Sequence, residues 1–305
     1  MGLTAFLFPG QGSQYVGMRS KTGSSDELYR RADEVLGFGL TRLIDEGPQD
    51  ELTQTANAQP ALLVAGLSAA RAVDAPGRRA DLVLGHSLGE YSALVFAGVL
   101  GFEDALRLVR LRGELMARAV ARTPGRMAAV IGADPAALEG LVAELSAGGV
   151  LEITNRNAPG QVVLSGEEAV VARAVEELKA RKIGRGMPLD VSAPFHSSLM
   201  RPMAEEFSAA LEKVAFSKPS LRFIDNVTGQ EESDPEAIRR KLVLQLYSPV
   251  LFEQGVRSAV AAGAATVVEC GPKAVLSGLV KRISRDVEIL NSETMLGQPS
   301  PAAIS

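Results

Sequence analysis

The pentapeptide Gly85-His86-Ser87-Leu88-Gly89 has the form G-x-S-x-G, the sharp strand-to-helix turn that carries a nucleophilic serine. Residues two before and two after the serine pass close together in such a turn, and glycine at both ends leaves the room. The serine oxygen then sits over the first turn of the following helix, where free N–H groups favour developing negative charge. The same pentapeptide occurs in plain glycine-rich turns, so its context decides. Here an apolar run, Asp81–Leu84, precedes it and a helical pattern, Gly89–Leu100, follows.

A serine needs a general base to attack near neutral pH, and the chain has only two histidines. His86 adjoins Ser87, so its side chain leaves the elbow in another direction. His196 remains, in Ala193-Pro194-Phe195-His196-Ser197-Ser198, a loop just before a helical pattern. Serine before histidine is the chain order of α/β-hydrolase triads. A lone histidine is more often a buried structural one, but the elbow lacks any other base, which favours catalysis. On a hydrolase reading, Asp190 and Asp225 are candidates to orient it. Acyl transfer also needs two backbone N–H donors for a tetrahedral oxyanion, one from the residue after the nucleophile, Leu88. The glycine-rich loop Pro9-Gly10-Gln11-Gly12-Ser13-Gln14 is a candidate for the other. It does not read as a nucleotide loop, because Tyr15 stands where G-x-G-x-x-G needs its last glycine and no GK[ST] follows.

Arg112 breaks the pattern of its helix. Over Glu103–Arg122, the residues Glu103, Arg107, Arg110, Glu114 and Arg118 form one wet stripe, and Ala105, Val109, Met116 and Ala119 an opposite dry one. Arg112 falls in the dry stripe. A buried arginine needs an anionic partner: either a carboxylate of this protein or the carboxylate of a substrate; helical spacing does not separate the two, and the internal pair is slightly preferred.

These groups need a scaffold. Leu3–Phe8, Asp81–Leu84 and Ala264–Val268 read as short buried strands, and Val287–Leu290 as a last one. Glu27–Leu43, Gln59–Val73 with Pro60 in its first turn, Gly89–Leu100, Glu103–Arg122, Pro202–Val214 and a segment ending near Arg285 read as helices. Strands alternating with helices imply a largely parallel sheet covered on both faces. The middle third differs. Met127–Ile131, Pro135–Ser146, Leu151–Thr154, Gln161–Leu164, Glu167–Lys182 and Met187–Val191 read as β-α-β-β-α-β, the ferredoxin-like order. The expected fold is thus α/β, with a discontinuous large domain of residues 1–122 and 193–291, an inserted small domain of 123–192, and a disordered tail of 292–305.

Composition narrows the function classes. Apolar residues are 46% of the 305 and charged residues 22%, with a net charge of −4, which argues against broad nucleic-acid binding. One cysteine, Cys270, excludes an intrachain disulfide and a cysteine-rich zinc site. No positive charge precedes Arg19 and no apolar run approaches bilayer length, so neither a signal peptide nor a membrane span is expected. A cytoplasmic monomer is the expectation.

Four segments together resemble the malonyl-CoA:acyl carrier protein transacylases: Phe8-Pro9-Gly10-Gln11-Gly12-Ser13-Gln14, Gln59-Pro60-Ala61-Leu62-Leu63, Gly85-His86-Ser87-Leu88-Gly89-Glu90-Tyr91 and Gln245-Leu246-Tyr247-Ser248-Pro249-Val250. The resemblance runs from about residue 4 to 290; the region after Gln14 is short for it. It implies an α/β-hydrolase-like large domain with an inserted ferredoxin-like one. It also implies Ser87 as nucleophile, His196 as base, and the backbone N–H groups of Gln11 and Leu88 as oxyanion donors. By the same resemblance Arg112 receives a substrate carboxylate, and the backbone carbonyl of Gln245 orients His196 in place of a triad carboxylate. Met116, Phe195, Gln59 and Asn157 are the expected acyl-pocket residues, with Phe195 as in malonyl-selective members. The implied substrate is malonyl-CoA and the acceptor the phosphopantetheine thiol of an acyl carrier protein, with no bound cofactor or metal. Lys182, Arg185, Lys281 and Arg282 are candidates to meet an acidic carrier.

Overall fold

Apolar runs of four to six residues, too short for stable helices, become the central strands. The structure, a computed structural model, describes residues 2–23, 25–75, 78–122, 124–189 and 193–297. The strands are β1 (Leu3–Phe8), β2 (Leu82–Gly85), β3 (Gly125–Ile131), β4 (Leu151–Ala158), β5 (Gln161–Glu167), β6 (Arg185–Pro188), β7 (Arg222–Ile224), β8 (Ala264–Glu269) and β9 (Glu288–Asn291). The helices are α1 (Asp26–Leu36), α2 (Leu40–Glu46), α3 (Gln49–Thr53), α4 (Thr55–Val73), α5 (Gly89–Phe96), α6 (Phe102–Arg122), α7 (Pro135–Leu145), α8 (Glu168–Ala180), α9 (Ala204–Leu211), α10 (Pro235–Gln245), α11 (Phe252–Ala261), α12 (Val275–Ile283) and α13 (Ser292–Gly297).

The larger sheet runs β7-β2-β1-β8-β9 and every neighbouring pair is parallel. Phe6 and Phe8 pack on one face with α4, α5 and α6, while Ala5 and Leu7 pack on the other with α11 and α12. Burial on both faces explains why these strands are continuous apolar runs rather than alternating ones. Phe8 pairs with Gly85, so the loops after β1 and β2 emerge side by side at the carboxyl edge of the sheet, where open α/β sheets bind ligands.

After α6 the chain builds a second, four-stranded antiparallel sheet in the order β4-β5-β3-β6. Helices α7 and α8 cover one face of it around a core of its own. This is the ferredoxin-like arrangement. The two sheets are joined where Val250, ahead of α11, pairs with Asn155 of β4.

Several expected elements have different limits. The Glu27–Leu43 helix is two helices, because Gly37 takes a left-handed conformation (φ 73°) that closes α1 and turns the chain into α2. Helix α4 starts at Thr55, so Pro60 lies inside it rather than in its first turn. A proline there leaves the carbonyl four residues back without its N–H partner, and Arg110 Nη1 takes it, 3.1 Å from the oxygen of Ala56. The Pro202–Val214 helix opens with a 3₁₀ stretch, Ser198–Met203. The tail is helical as far as Gly297, with Ser292 Oγ bound to the backbone of Gly271; residues 298–305 lie outside the described residues. Strand β7 and helices α10 and α11 had no counterpart in the sequence reading.

Helix α6 lies close against α4 at Gly113, where an added Cβ would come within 2.6 Å of Ala56 Cα. Gly113→Ala is therefore expected to force the two helices apart and cost about 1–3 kcal/mol in urea unfolding. It should also weaken any preference for carboxylated acyl groups, since the neighbouring Arg112 moves with the helix. Unchanged stability would mean that the contact is not close-packed.

Candidate active site

Ser87 stands at φ 52° in the turn between β2 and α5. A β-carbon on Gly85 would lie 2.0 Å from the carbonyl carbon of Gly89, and one on Gly89 would lie 1.9 Å from the Phe8 oxygen. No side chain fits at either position, so the elbow and its contact with β1 depend on both glycines. The strained backbone is clamped by Asn226, which lies just after β7. Its Oδ1 accepts the Ser87 N–H at 2.7 Å and its Nδ2 donates to the Gly85 carbonyl at 2.7 Å. Its own N–H reaches Glu90 Oε1 at 3.1 Å.

His196, also in a left-handed conformation (φ 61°), meets this serine from the loop ahead of α9. Nε2 lies 2.8 Å from Ser87 Oγ and Nδ1 lies 2.7 Å from the backbone oxygen of Gln245. Because a carbonyl can only accept, Nδ1 carries the hydrogen and Nε2 is left to accept from the serine hydroxyl. Burial, and then the positive charge of Arg112, push the His196 imidazole down to about 3.

Arg112 comes up from α6 and is almost completely buried, 1% exposed. Nη1 donates to Gln59 Oε1 at 2.9 Å; Nη2 donates to Gln245 Oε1 at 3.0 Å and to Ser87 Oγ at 3.2 Å. Among the described residues no carboxylate pairs with it, so the internal ion pair, slightly preferred before the family resemblance is considered, is not formed. Gln245 turns its amide nitrogen the other way, to the Ser87 carbonyl at 3.0 Å and to Glu90 Oε2. Burial, then the nearby Asp225, push the Glu90 carboxyl up to about 8.

These groups face a cleft of about 520 Å³ between the two sheets. Gln11, Leu88, Met116, Phe195 and Asn157 are in its wall. Among the described residues, neither the Gln11 nor the Leu88 backbone N–H donates to a protein acceptor, whereas the Ser87 N–H is taken by Asn226. Gln59 does not line the cleft. It is fully buried behind Arg112, with its amide nitrogen 3.3 Å from Met116 Sδ. Asn157 accepts from His86 Nε2 at 2.8 Å, so the elbow's own histidine points to the smaller sheet and away from Ser87. Asp225 is held by Lys241 at 2.8 Å and by the backbone of Val227 and Thr228 and makes no contact with His196; Asp190 lies outside the described residues. Among the described residues no cluster of three metal-ligating side chains occurs.

The family model for the acyl transferase domain matches residues 5–302. A malonyl CoA-acyl carrier protein transacylase of Bacillus subtilis is 42% identical over 295 residues, covering 95% of this chain and 93% of the relative. This chain belongs to the malonyl CoA-acyl carrier protein transacylase family. An acyl carrier protein S-malonyltransferase from Vibrio cholerae superposes with a TM-score of 0.90 at 41% identity, covering 94% of this chain and 96% of that one. A malonyl-transacylase solved in complex with a type II PKS acyl-carrier protein superposes at 0.92 with 39% identity, covering 96% and 98%.

Among the site's members, Asn226, Glu90 and the side chain of Gln245 were not singled out by sequence. Glu90 alone carried a signal, as a carboxylate within a turn of the elbow; the other two are brought in by β7 and α10, which periodicity did not reveal.

A histidine pushed well below its usual 6.5 stays unprotonated in mild acid, so its weak basicity is constant over that range. Labelling of Ser87 by a neutral sulfonyl fluoride is therefore expected to stay flat from pH 8 to about pH 5 in the substrate-free enzyme. A tenfold fall centred near pH 6.5, followed by intact-protein mass, would show that the site leaves His196 unperturbed.

Proposed function

We propose that this chain transfers a malonyl group from malonyl-CoA to the phosphopantetheine thiol of an acyl carrier protein through an ester on Ser87. The observation that carries the reading is a buried guanidinium with no carboxylate partner among the described residues, hydrogen-bonded to the same serine oxygen that meets His196.

In the first half-reaction His196 Nε2 takes the Ser87 proton as Oγ attacks the thioester carbon. The carbonyl oxygen becomes an oxyanion over the backbone N–H groups of Gln11 and Leu88, preorganised donors of the kind that stabilise such intermediates. The carbon–sulfur bond then breaks, and the coenzyme A thiolate leaves with the proton from His196. The malonyl carboxylate engages Arg112 through the guanidinium fork. In the second half-reaction the carrier's thiol gives its proton to His196 and attacks the ester, and Ser87 Oγ leaves with that proton. Both halves exchange an ester and a thioester, so neither requires a metal or a redox group. The carbonyl of Gln245 holds the imidazole in the tautomer that both steps use.

The carrier must reach the mouth of the cleft. Lys182, Arg185, Lys281 and Arg282 are all exposed, and Arg282 lines the cleft, donating to Gln161 Oε1 at 2.8 Å. They form the surface proposed to meet an acidic carrier. The similarity to a transacylase bound to a type II PKS carrier supports supply of either fatty-acid or polyketide synthesis.

Intact-protein mass spectrometry after brief mixing with malonyl-CoA should show a malonyl adduct on the wild type and none on Ser87→Ala. Arg112→Ala should lower the preference for malonyl over acetyl by about 1.5–3 kcal/mol, roughly tenfold to over a hundredfold. Free malonate accumulating without transfer would make the protein a hydrolase instead. Charge reversal at Lys182, Arg185 and Lys281, which lie outside the cleft wall, should raise KM for the carrier while leaving acylation by malonyl-CoA unchanged; an unchanged KM would remove them from the docking surface.

A further inference from the structure

Arg112 and His196 share one oxygen. Nη2 donates to Ser87 Oγ at 3.2 Å and Nε2 lies 2.8 Å from it on the imidazole side, so one oxygen separates the two nitrogens, close enough for a like charge to oppose ionisation. Among the described residues no carboxylate forms an ion pair with the guanidinium. Besides Ser87 Oγ its partners are the amide oxygens of Gln59 and Gln245 and the ring of Tyr91, 5.6 Å from Cζ; among the described residues its buried Nε has none. Glu90 is reached only through the Gln245 amide. Around the imidazole itself, α10 supplies only the Gln245 carbonyl, and the loop after β1 and the α6 residue Met116 bring no charge. On the elbow, burial holds the other histidine, His86, towards its neutral form. Glu152 of β4 is taken up by the N–H and hydroxyl of Ser198, so among the described residues Arg112 is the charged group that shares an oxygen with His196.

Acylation turns His196 into an imidazolium. The matching negative charge of the tetrahedral intermediate rests on the former carbonyl oxygen and not on Oγ, so the Arg112 contact with Oγ does not compensate it. We propose that Arg112 selects acyl groups through the base as well as by binding: without a carboxylate beside it, its charge keeps His196 neutral and a weak base, and a carboxylate on the incoming acyl group releases that hold. An uncharged acyl donor can then occupy the cleft without arming the base. The inference rests on the acyl-transfer reading above and adds to it a link between the acyl group's charge and the proton transfer.

The test is single-turnover acylation of Ser87 at saturating donor between pH 5 and 8, comparing malonyl-CoA with malonamyl-CoA, which keeps the shape and replaces the carboxylate by an amide. The acid limb for malonyl-CoA is expected at least about one pH unit above that for malonamyl-CoA. Arg112→Met should move the malonamyl limb up towards the malonyl one. Ring-proton NMR gives the same quantity directly, because the chain has only two histidines: His196 should titrate at least about one unit higher in Arg112→Met than in wild type. Coincident limbs for the two donors, or an unmoved His196, would overturn the proposal while leaving the transferase intact. If the variant does not fold, the two donors on wild type decide alone. No acyl-serine with either donor would remove the acyl-transfer reading, and this proposal with it.

Discussion

Removing a guanidinium from water without giving it a carboxylate costs several kcal/mol unless its donors are met by other means. In this protein two glutamine amides from different elements meet them, Gln59 from α4 and Gln245 from the end of α10. Helix α6, which carries Arg112, must lie against α4 closely enough for the first of these bonds, and Gly113 permits that approach. Helix α10 must end where the second can form. A direct salt bridge would satisfy the same charge more simply, but it would also occupy the guanidinium. Placing Glu90 one amide further away keeps a carboxyl group in the network and leaves the guanidinium edge open to the cleft.

Gln245 couples this arrangement to the nucleophile. Its side chain joins Arg112 to Glu90 and to the Ser87 carbonyl, while its backbone oxygen fixes the His196 tautomer. One residue thus touches the buried guanidinium, the strained turn that carries Ser87 and the imidazole that meets its oxygen. Asn226 closes the same circuit from β7. It holds the elbow on both sides of Ser87, and by taking the Ser87 N–H it leaves Leu88 as the free amide at the turn. The positive φ of both Ser87 and His196 belongs to this crowding: neither conformation is favoured by an isolated chain, and both are imposed by neighbours from other elements.

What periodicity revealed and what it missed divide along physical lines. Strands such as Leu3–Phe8 are buried on both faces and therefore apolar at every position, and long helices such as α6 have a wet and a dry stripe. Both leave signals in a short window. Strand β7 is three residues long, and α10 and α11 carry exposed polar residues among their apolar ones. Helix α11 does bury Phe252, Gly255, Val256 and Ala259 at helical spacing, a signal that the sequence carries and that the reading passed over. The break at Gly37 and the earlier start of α4 shift limits rather than add elements. A proline reads locally as a first-turn residue, and only the side chain of Arg110, brought from another helix to the Ala56 carbonyl, lets the helix continue through it.

The sequence by itself determined the nucleophilic elbow, because G-x-S-x-G between an apolar run and a helical one has a local steric reason. It also determined the choice of His196, because only one other histidine exists, and the oddity of Arg112, because helical spacing puts it on a dry face. The alternation of elements and the β-α-β-β-α-β insert were legible for the same reason: each is written in spacing along the chain. Tertiary structure alone decided how the Arg112 charge is met, that the His196 tautomer is set by a backbone carbonyl, and that Asn226 clamps the elbow. Those contacts join residues far apart in the chain, and their energetics depend on burial and on distances of about 3 Å that no local pattern encodes.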